Sequence, residues 1–211
     1  MTVHTLDVGL RGTRDYIQGS QILARTGELV QAAADAPVEL ISAKFTQITE
    51  QGVRVALDAD DVDDGREIGK AQYAWDGQRR TVRFFEVAGP TAHRIEDVPR
   101  VTRGLVADRA GTATCTFESA GTFESMLVAV IEFVKAAHAE RGTDVADIWF
   151  TALMAARLPL TAAYPTSGVL RLTPKIERLV DSRLQTLSIL ETEGAGAPPP
   201  FQICFSCVVR T

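Results

Sequence analysis

Several things are scarce in this 211-residue chain, and each scarcity excludes a class of protein. No apolar run approaches the roughly 18 residues that a helix needs to cross a bilayer, so no membrane span is expected. Cysteine is rare: Cys115, Cys204 and Cys207 are an odd number, and Met1 to Leu10 lack the basic start and apolar run of a signal peptide. A disulfide framework is therefore not expected, and the cytoplasm is the default compartment. The three histidines, His4, His93 and His138, are scattered, with no pair at metal-ligand spacing. Neither a P-loop nor a G-x-G-x-x-G occurs. Basic excess is missing too. Lys and Arg total 22 against 27 Asp and Glu, a formal net charge of −5, which argues against a nucleic-acid partner.

What is present is an ordinary globular mixture, 45% hydrophobic and 23% charged, enough to build a sizeable core in two small modules. From Asp15 to Ala34, Ile22, Leu23, Leu29, Val30 and Ala33 recur at helical spacing, with Asp15 three residues before Gln18 as in a capping box. Gly19 and Gly27 weaken that helix, and Pro37 closes it. Val38 to Ile48 is rich in strand formers, and Val53, Val55 and Leu57 alternate with polar or small residues. Ile68 to Trp75 and Thr81 to Val87 flank Asp76-Gly77, a hairpin signal. Ala88 to Gly111 reads as a linker, with a short strand at Val101 to Val106. Thr112 to Glu118 then alternates as a strand, and Thr122 to Arg141 carries Phe123, Met126, Leu127, Val130, Ile131 and Val134 on one stripe before Gly142. Ile148 to Leu160, Val169 to Leu172, Leu184 to Glu191 and Phe201 to Val209 read as strands. Pro174 and the charged stretch Lys175 to Arg183 interrupt this pattern. The plan of strand, helix and several strands thus occurs twice, in residues 1–98 and 99–211. It predicts an α+β protein in which each long helix is wrapped by an antiparallel sheet.

That order resembles the hotdog fold of acyl-thioester proteins, and two copies in one chain resemble the double-hotdog arrangement of thioesterases and dehydratases. The likeness is carried by Tyr16 to Glu28, Ala43 to Ile48 and Gly69 to Gly77 in the first half. In the second half it is carried by Phe123 to His138, Ile148 to Leu160 and Phe201 to Val209. It implies an acyl chain on coenzyme A or on an acyl carrier protein, bound in a tunnel between two such helices. The chemistry it implies is hydrolysis, acyl transfer or dehydration. Gln18-Gly19-Ser20 occupies the place of the His-Gly-Gly-like turn of hotdog thioesterases, and Glu28 follows about two to three turns on. The histidine of the dehydratases is missing there, which sets dehydration behind hydrolysis and transfer. No cofactor is implied, and a fused pair can stand alone or form a homodimer as single hotdogs do.

The residues themselves allow two readings of this site. Asp15, Tyr16, Gln18, Gly19 and Ser20 gather polar groups at a helix N-terminus, where free amides can polarise a thioester carbonyl and a carboxylate can activate water. Alternatively, Asp15 and Gln18 simply satisfy the first-turn amides and Tyr16 packs. Glu28 is a general base if burial raises its pKa, and otherwise a solvated glutamate. Glu124, in a first helical turn, and Glu132, beside the apolar stripe, are its rivals. The expected sites are thus catalytic Asp15 and Glu28 with substrate-binding Tyr16, Gln18, Gly19 and Ser20. Arg79, Arg80 and Arg83 either meet a coenzyme phosphate or acidic carrier, or line a solvated strand. The acidic run Asp58 to Asp64 lacks the calcium-loop register, since Val62 and Ala71 fall at ligand positions counted from Asp60. Cys204 and Cys207 lie three apart on an expected strand and so point to opposite faces, which reads as structural thiols. The competing function is a non-catalytic protein that holds an acyl chain or a partner in a degenerate site.

Overall fold

The computed structural model describes residues 2–11, 16–58, 65–91, 93–95, 102–108, 110–140 and 145–209. In chain order its first elements are β1 (Thr2–Thr5), β2 (Leu10–Arg11), α1 (Gly19–Ala33), β3 (Glu39–Phe45) and β4 (Gln51–Leu57). Next come β5 (Gly65–Trp75), β6 (Gln78–Thr91), β7 (Arg94–Ile95), β8 (Thr102–Ala107), β9 (Ala113–Glu118) and α2 (Phe123–Glu140). The last are β10 (Val145–Met154), β11 (Leu158–Pro159), β12 (Ser167–Val180), β13 (Arg183–Glu193) and β14 (Phe201–Val209). The chain forms two compact units. The first is Met1–Pro99 with Leu158–Thr161, and the second is Arg100–Arg157 with Ala162–Thr211. No helix among the described residues is long and apolar enough to cross a membrane.

In the first unit an antiparallel sheet runs in the order β1, β4, β6, β5, β3, with β11 added beside β3. The Asp76-Gly77 signal is answered by a two-residue turn, with φ of +51° and +72°, that fits the twist of β5 and β6. The core is Leu23 and Val30 of α1 against Leu40, Val53, Val55, Ile68, Val82 and Phe84, all fully buried. Gly27, which costs the helix propensity, has a packing reason. A Cβ at that position would lie 3.2 and 3.3 Å from the two methyls of Leu160, in the segment that returns beside α1. Gly69 is tighter still. It sits in register with Phe45 and Phe84, whose rings stack at 5.5 Å across it, and an added Cβ would meet the Lys44 carbonyl oxygen at 2.5 Å.

The second unit has the antiparallel order β10, β14, β13, β12, β9, β8, covered by α2. The expected stripe is real: Phe123, Met126, Leu127, Val130, Ile131 and Val134 are all buried. Its N-terminus is closed by a reciprocal pair. Thr122 Oγ1 accepts from the Ser125 amide at 3.2 Å, and Ser125 Oγ accepts from the Thr122 amide at 3.0 Å.

Several boundaries differ from those the pattern predicts. The linker reading of Ala88 to Gly111 is too long, because β6 continues to Thr91, whereas the short strand expected at Val101 to Val106 is present as β8. The Ile148 to Leu160 strand is two strands, β10 and β11, broken at Ala155, whose φ is +52°. The stretch around Pro174 is not an interruption: β12 runs through it with a register shift between Pro174 and Ile176. Pairing of β12 with β9 ends at Leu172, so the missing proline N–H falls where that side of the ladder has stopped. Asp181 and Ser182, with φ of +47° and +61°, then turn the chain into β13. Cys204 is half-buried and Cys207 buried on β14, both as free thiols. Gly69→Ala is expected to destabilise the protein by about 1–3 kcal/mol in urea unfolding. Gly52→Ala, where an added Cβ meets nothing within 4 Å, stays within about 0.5 kcal/mol of the parent.

Candidate functional site

Chain entry into α1 is set by Ile17, which is 3% exposed and donates its amide to the Thr49 carbonyl at 2.8 Å. Gln18 follows as the N-cap, with extended backbone (φ −76°, ψ 136°). Its carbonyl accepts from the Gln21 and Ile22 amides at 3.0 and 3.2 Å, so the helix ladder starts there. Its side chain makes no capping hydrogen bond, and no acidic residue stands in the first turn. The expected capping box is therefore not made through Gln18, and Asp15 lies outside the described residues. The Gly19 and Ser20 amides, ahead of the first ladder donor, face no hydrogen-bond acceptor among the described residues. Two free N–H groups thus stand at the positive end of the helix dipole. Ser20 is 1% exposed, whereas Tyr16, Gln18 and Gly19 are half-buried.

Directly inside that end lies a residue sequence reasoning passed over. Gln21 is 1% exposed, and its Oε1 accepts the Gly9 amide at 2.7 Å. Its Nε2, also buried, has no partner among the described residues. Gly9 is held in turn by the short parallel pair β2–β7, where Leu10 donates to the His93 carbonyl at 2.9 Å. A Cβ on Gly9 would meet that carbonyl at 2.7 Å and His93 Nε2 at 3.3 Å, so only glycine fits between Gln21 and His93. The imidazole is 61% exposed and lies 4.0 Å from Asp7 Oδ1. His93, which the sequence leaves scattered, is thus brought beside the segment that pins Gln21. No local spacing could reveal it, since the approach runs through Gly9. The run of small residues Ser20, Ala24 and Gly27 was the available sign that this helix face is closely packed.

Further along α1, Tyr73 donates its hydroxyl to the Leu23 carbonyl at 3.4 Å, and full burial pushes that hydroxyl far above the usual phenol range. Glu28 does not meet the condition set for a base. Its side chain is 62% exposed and ion-paired with Arg25 at 2.7 Å. Glu124 and Glu132 are half-buried on α2, and both have partners. His138, in the last turn of α2, is 1% exposed, with Nε2 3.2 Å from Thr186 Oγ1. The basic group is largely absorbed by neighbours. Arg80 lies 4.7 Å over the Trp75 ring and 3.0 Å from Asp58, and Arg83 lies 2.7 Å from Glu67. Asp58 is the described residue of the acidic run, and no group of three potential metal ligands occurs among the described residues.

Gln21→Leu removes the acceptor for a buried amide while keeping the volume. It is expected to lower stability by about 1–3 kcal/mol, read from the urea midpoint at unchanged slope. Tyr73→Phe, which gives up one long hydrogen bond, costs about 1 kcal/mol or less by the same measurement.

No protein-family model and no curated protein sequence matches the chain. Solved structures do. The dehydratase domain of the polyketide PpsC from Mycobacterium tuberculosis aligns with a TM-score of 0.58 at 10% identity, over 99% of this chain and 92% of that one. The tesB protein of Mycobacterium avium subsp. paratuberculosis gives 0.53 at 13%, over 97% and 91%. The dehydratase domain of RzxB from Pseudomonas fluorescens gives 0.51 at 10%, over 95% and 87%. These are hotdog-fold proteins, and with a long helix against an antiparallel sheet in each unit, so is this chain.

Proposed function

We propose that the chain is a double-hotdog protein, with residues 1–98 and 99–211 as its modules, and that it processes acyl thioesters of coenzyme A or of an acyl carrier protein. Hydrolysis or transfer to an acceptor stands ahead of dehydration, because no histidine occupies the first turn of α1. The observation that supports this is the N-terminus of α1. Two backbone amides without acceptors among the described residues, and the buried Gln21, whose Nε2 has no partner among them, lie in the first turn of that helix. Such an end suits a thioester oxygen that gains negative charge as its carbon is attacked. In hydrolysis, water oxygen bonds to that carbon, the C–S bond breaks, and the thiol leaves with a proton. Asp15, three residues before the N-cap, is the base this reading assigns, with Tyr16, Gln18 and Ser20 flanking the acyl group. Glu28 is the weaker choice, since its exposure and its ion pair leave its carboxylate in water.

The second reading is a non-catalytic acyl-binding or partner-binding protein. It is favoured by the lack of a desolvated carboxylate among the described residues of α1.

The deciding experiment is free-thiol release from short-, medium- and long-chain acyl-coenzyme A, alongside thermal shift. Gly19→Pro is the sharpest variant. Proline suits the first helical position, and the extended Gln18 already has the backbone that a residue before proline requires. It deletes one free N–H and leaves the helix intact. Turnover is expected to fall about 100-fold or more, and to be lost in Asp15→Asn but kept in Glu28→Ala. Binding without turnover selects the second reading, and no response to any of these thioesters defeats the coenzyme A form of the first reading and the acyl-coenzyme A-binding form of the second.

A further inference from the structure

The second unit contains a pocket of about 330 Å³ bounded by the Thr102–Leu105 stretch of β8, Cys115 of β9, and Phe133 and Ala136 of α2. Its origin is a fault in the ladder. Arg103 pairs with Thr116 and Val106 with Thr114, so Gly104 and Leu105 together face Cys115 alone. This is a two-against-one bulge, and the extra residue lifts the edge strand away from its neighbour. Gly104 has φ of +63°, and a Cβ there would meet nothing within 4 Å. The space beneath is therefore opened by the backbone of the bulge and not by the lack of a side chain at Gly104.

Apart from Arg103, the lining is uncharged. Phe133 is fully buried, and Cys115 and Thr102 are 3% and 6% exposed. Burial pushes the Cys115 thiol up to about 12, so it carries a proton at neutral pH. Arg103 shares a face with its register partner Thr116 and with Glu118, on the opposite side of β9 from Cys115. Its guanidinium is 75% exposed and 3.9 Å from the Glu118 carboxylate. A charged ligand would find no counter-charge within. Hydrogen bonding is available from the Thr102 hydroxyl, on a residue that lines the pocket. The Arg103 carbonyl is already used by Thr116 Oγ1 at 3.1 Å. In size the pocket is about twice an apolar cavity of roughly 150 Å³, which holds one benzene.

We propose that this pocket is a binding site for a small uncharged molecule carrying a fused ring or short chain and one hydrogen-bonding group. The site belongs to β8, β9 and α2 alone and does not depend on the thioester reading of α1.

The test uses the full chain with 2-naphthol as probe, followed by the probe's own fluorescence and by thermal shift. Saturable binding is expected with a dissociation constant on the order of 0.1 mM, together with a rise in midpoint of about 2–4 °C at tenfold excess. Naphthalene-2-sulfonate, of similar shape but charged, is expected to give neither signal. Ala136→Leu fills the pocket from the helix, and Leu105→Trp blocks it from the strand. Each is checked for a cooperative melt, so that failure of one to fold leaves the other. At least tenfold weaker binding in a folded variant supports the site. Unchanged affinity in a folded variant, binding of the sulfonate as tight as the naphthol, or no saturable binding to the parent chain overturns it.

Discussion

Ile22, Leu23 and Val30 on α1, and Leu127, Val130 and Val134 on α2, are all 2% exposed or less. A helix with such a face cannot stand in water, and everything else in each unit follows from covering it. A flat hairpin is too narrow for a helix of 15 or 18 residues, so several long antiparallel strands must twist around it. The glycines sit where this wrapping brings backbone or side chains closest. Gly27 admits Leu160 against α1, and Gly69 lets β3 and β5 close beneath the Phe45–Phe84 stack. Covering the stripe also explains why polar groups such as Gln21, Tyr73 and His138 are inside. They occupy helix-facing positions, and each meets a partner from another element.

The two helices solve their N-termini differently, and the difference matters for chemistry. In α2, Thr122 and Ser125 exchange hydroxyl and amide groups, which uses the first donors locally. In α1 the cap is Gln18 with no side-chain bond, and among the described residues the Gly19 and Ser20 amides have no acceptor. A helix end that leaves its donors unmatched costs stability, since buried N–H groups are normally paired. Gln21 adds to that cost with an unpartnered Nε2. Local rules of consistency are broken most often where a protein binds or reacts. For this reason the proposal rests on α1 and not on the better-formed helix.

Much of the fold was legible because it is written in short periods. The stripe of α2, the alternation of Val53 and Val55, and the Asp76-Gly77 turn each depend on residues a few positions apart, and each appears as expected. Strand ends were less legible. Pro174 looked like a stop, yet it lies where the β9 side of the ladder has ended, a fact set by a strand about sixty residues earlier. The site was legible only in outline. Gln18, Gly19 and Ser20 do surround a helix start, but Glu28 proved exposed, paired with Arg25 three residues before it. Gln21 and His93 could not be read, because their proximity passes through Gly9 and the β2–β7 pair.

The bulge in β8 shows the same division between local and long-range information. Gly104 in Arg-Gly-Leu reads as one glycine in a short strand, and on its own suggests only a weak spot. Its consequence appears only when β9 supplies one residue against two and α2 supplies the ring of Phe133 below. An edge strand normally hides its unpaired groups by twisting or by charge. Here two residues of the bulge face one of β9, and a partly open space lined mostly by uncharged residues lies beneath them. The bulge opens that space, and a larger residue at Ala136 would fill it. The same architecture with leucine there would be better packed. That is why the pocket is more readily explained by an occupant than by the demands of folding.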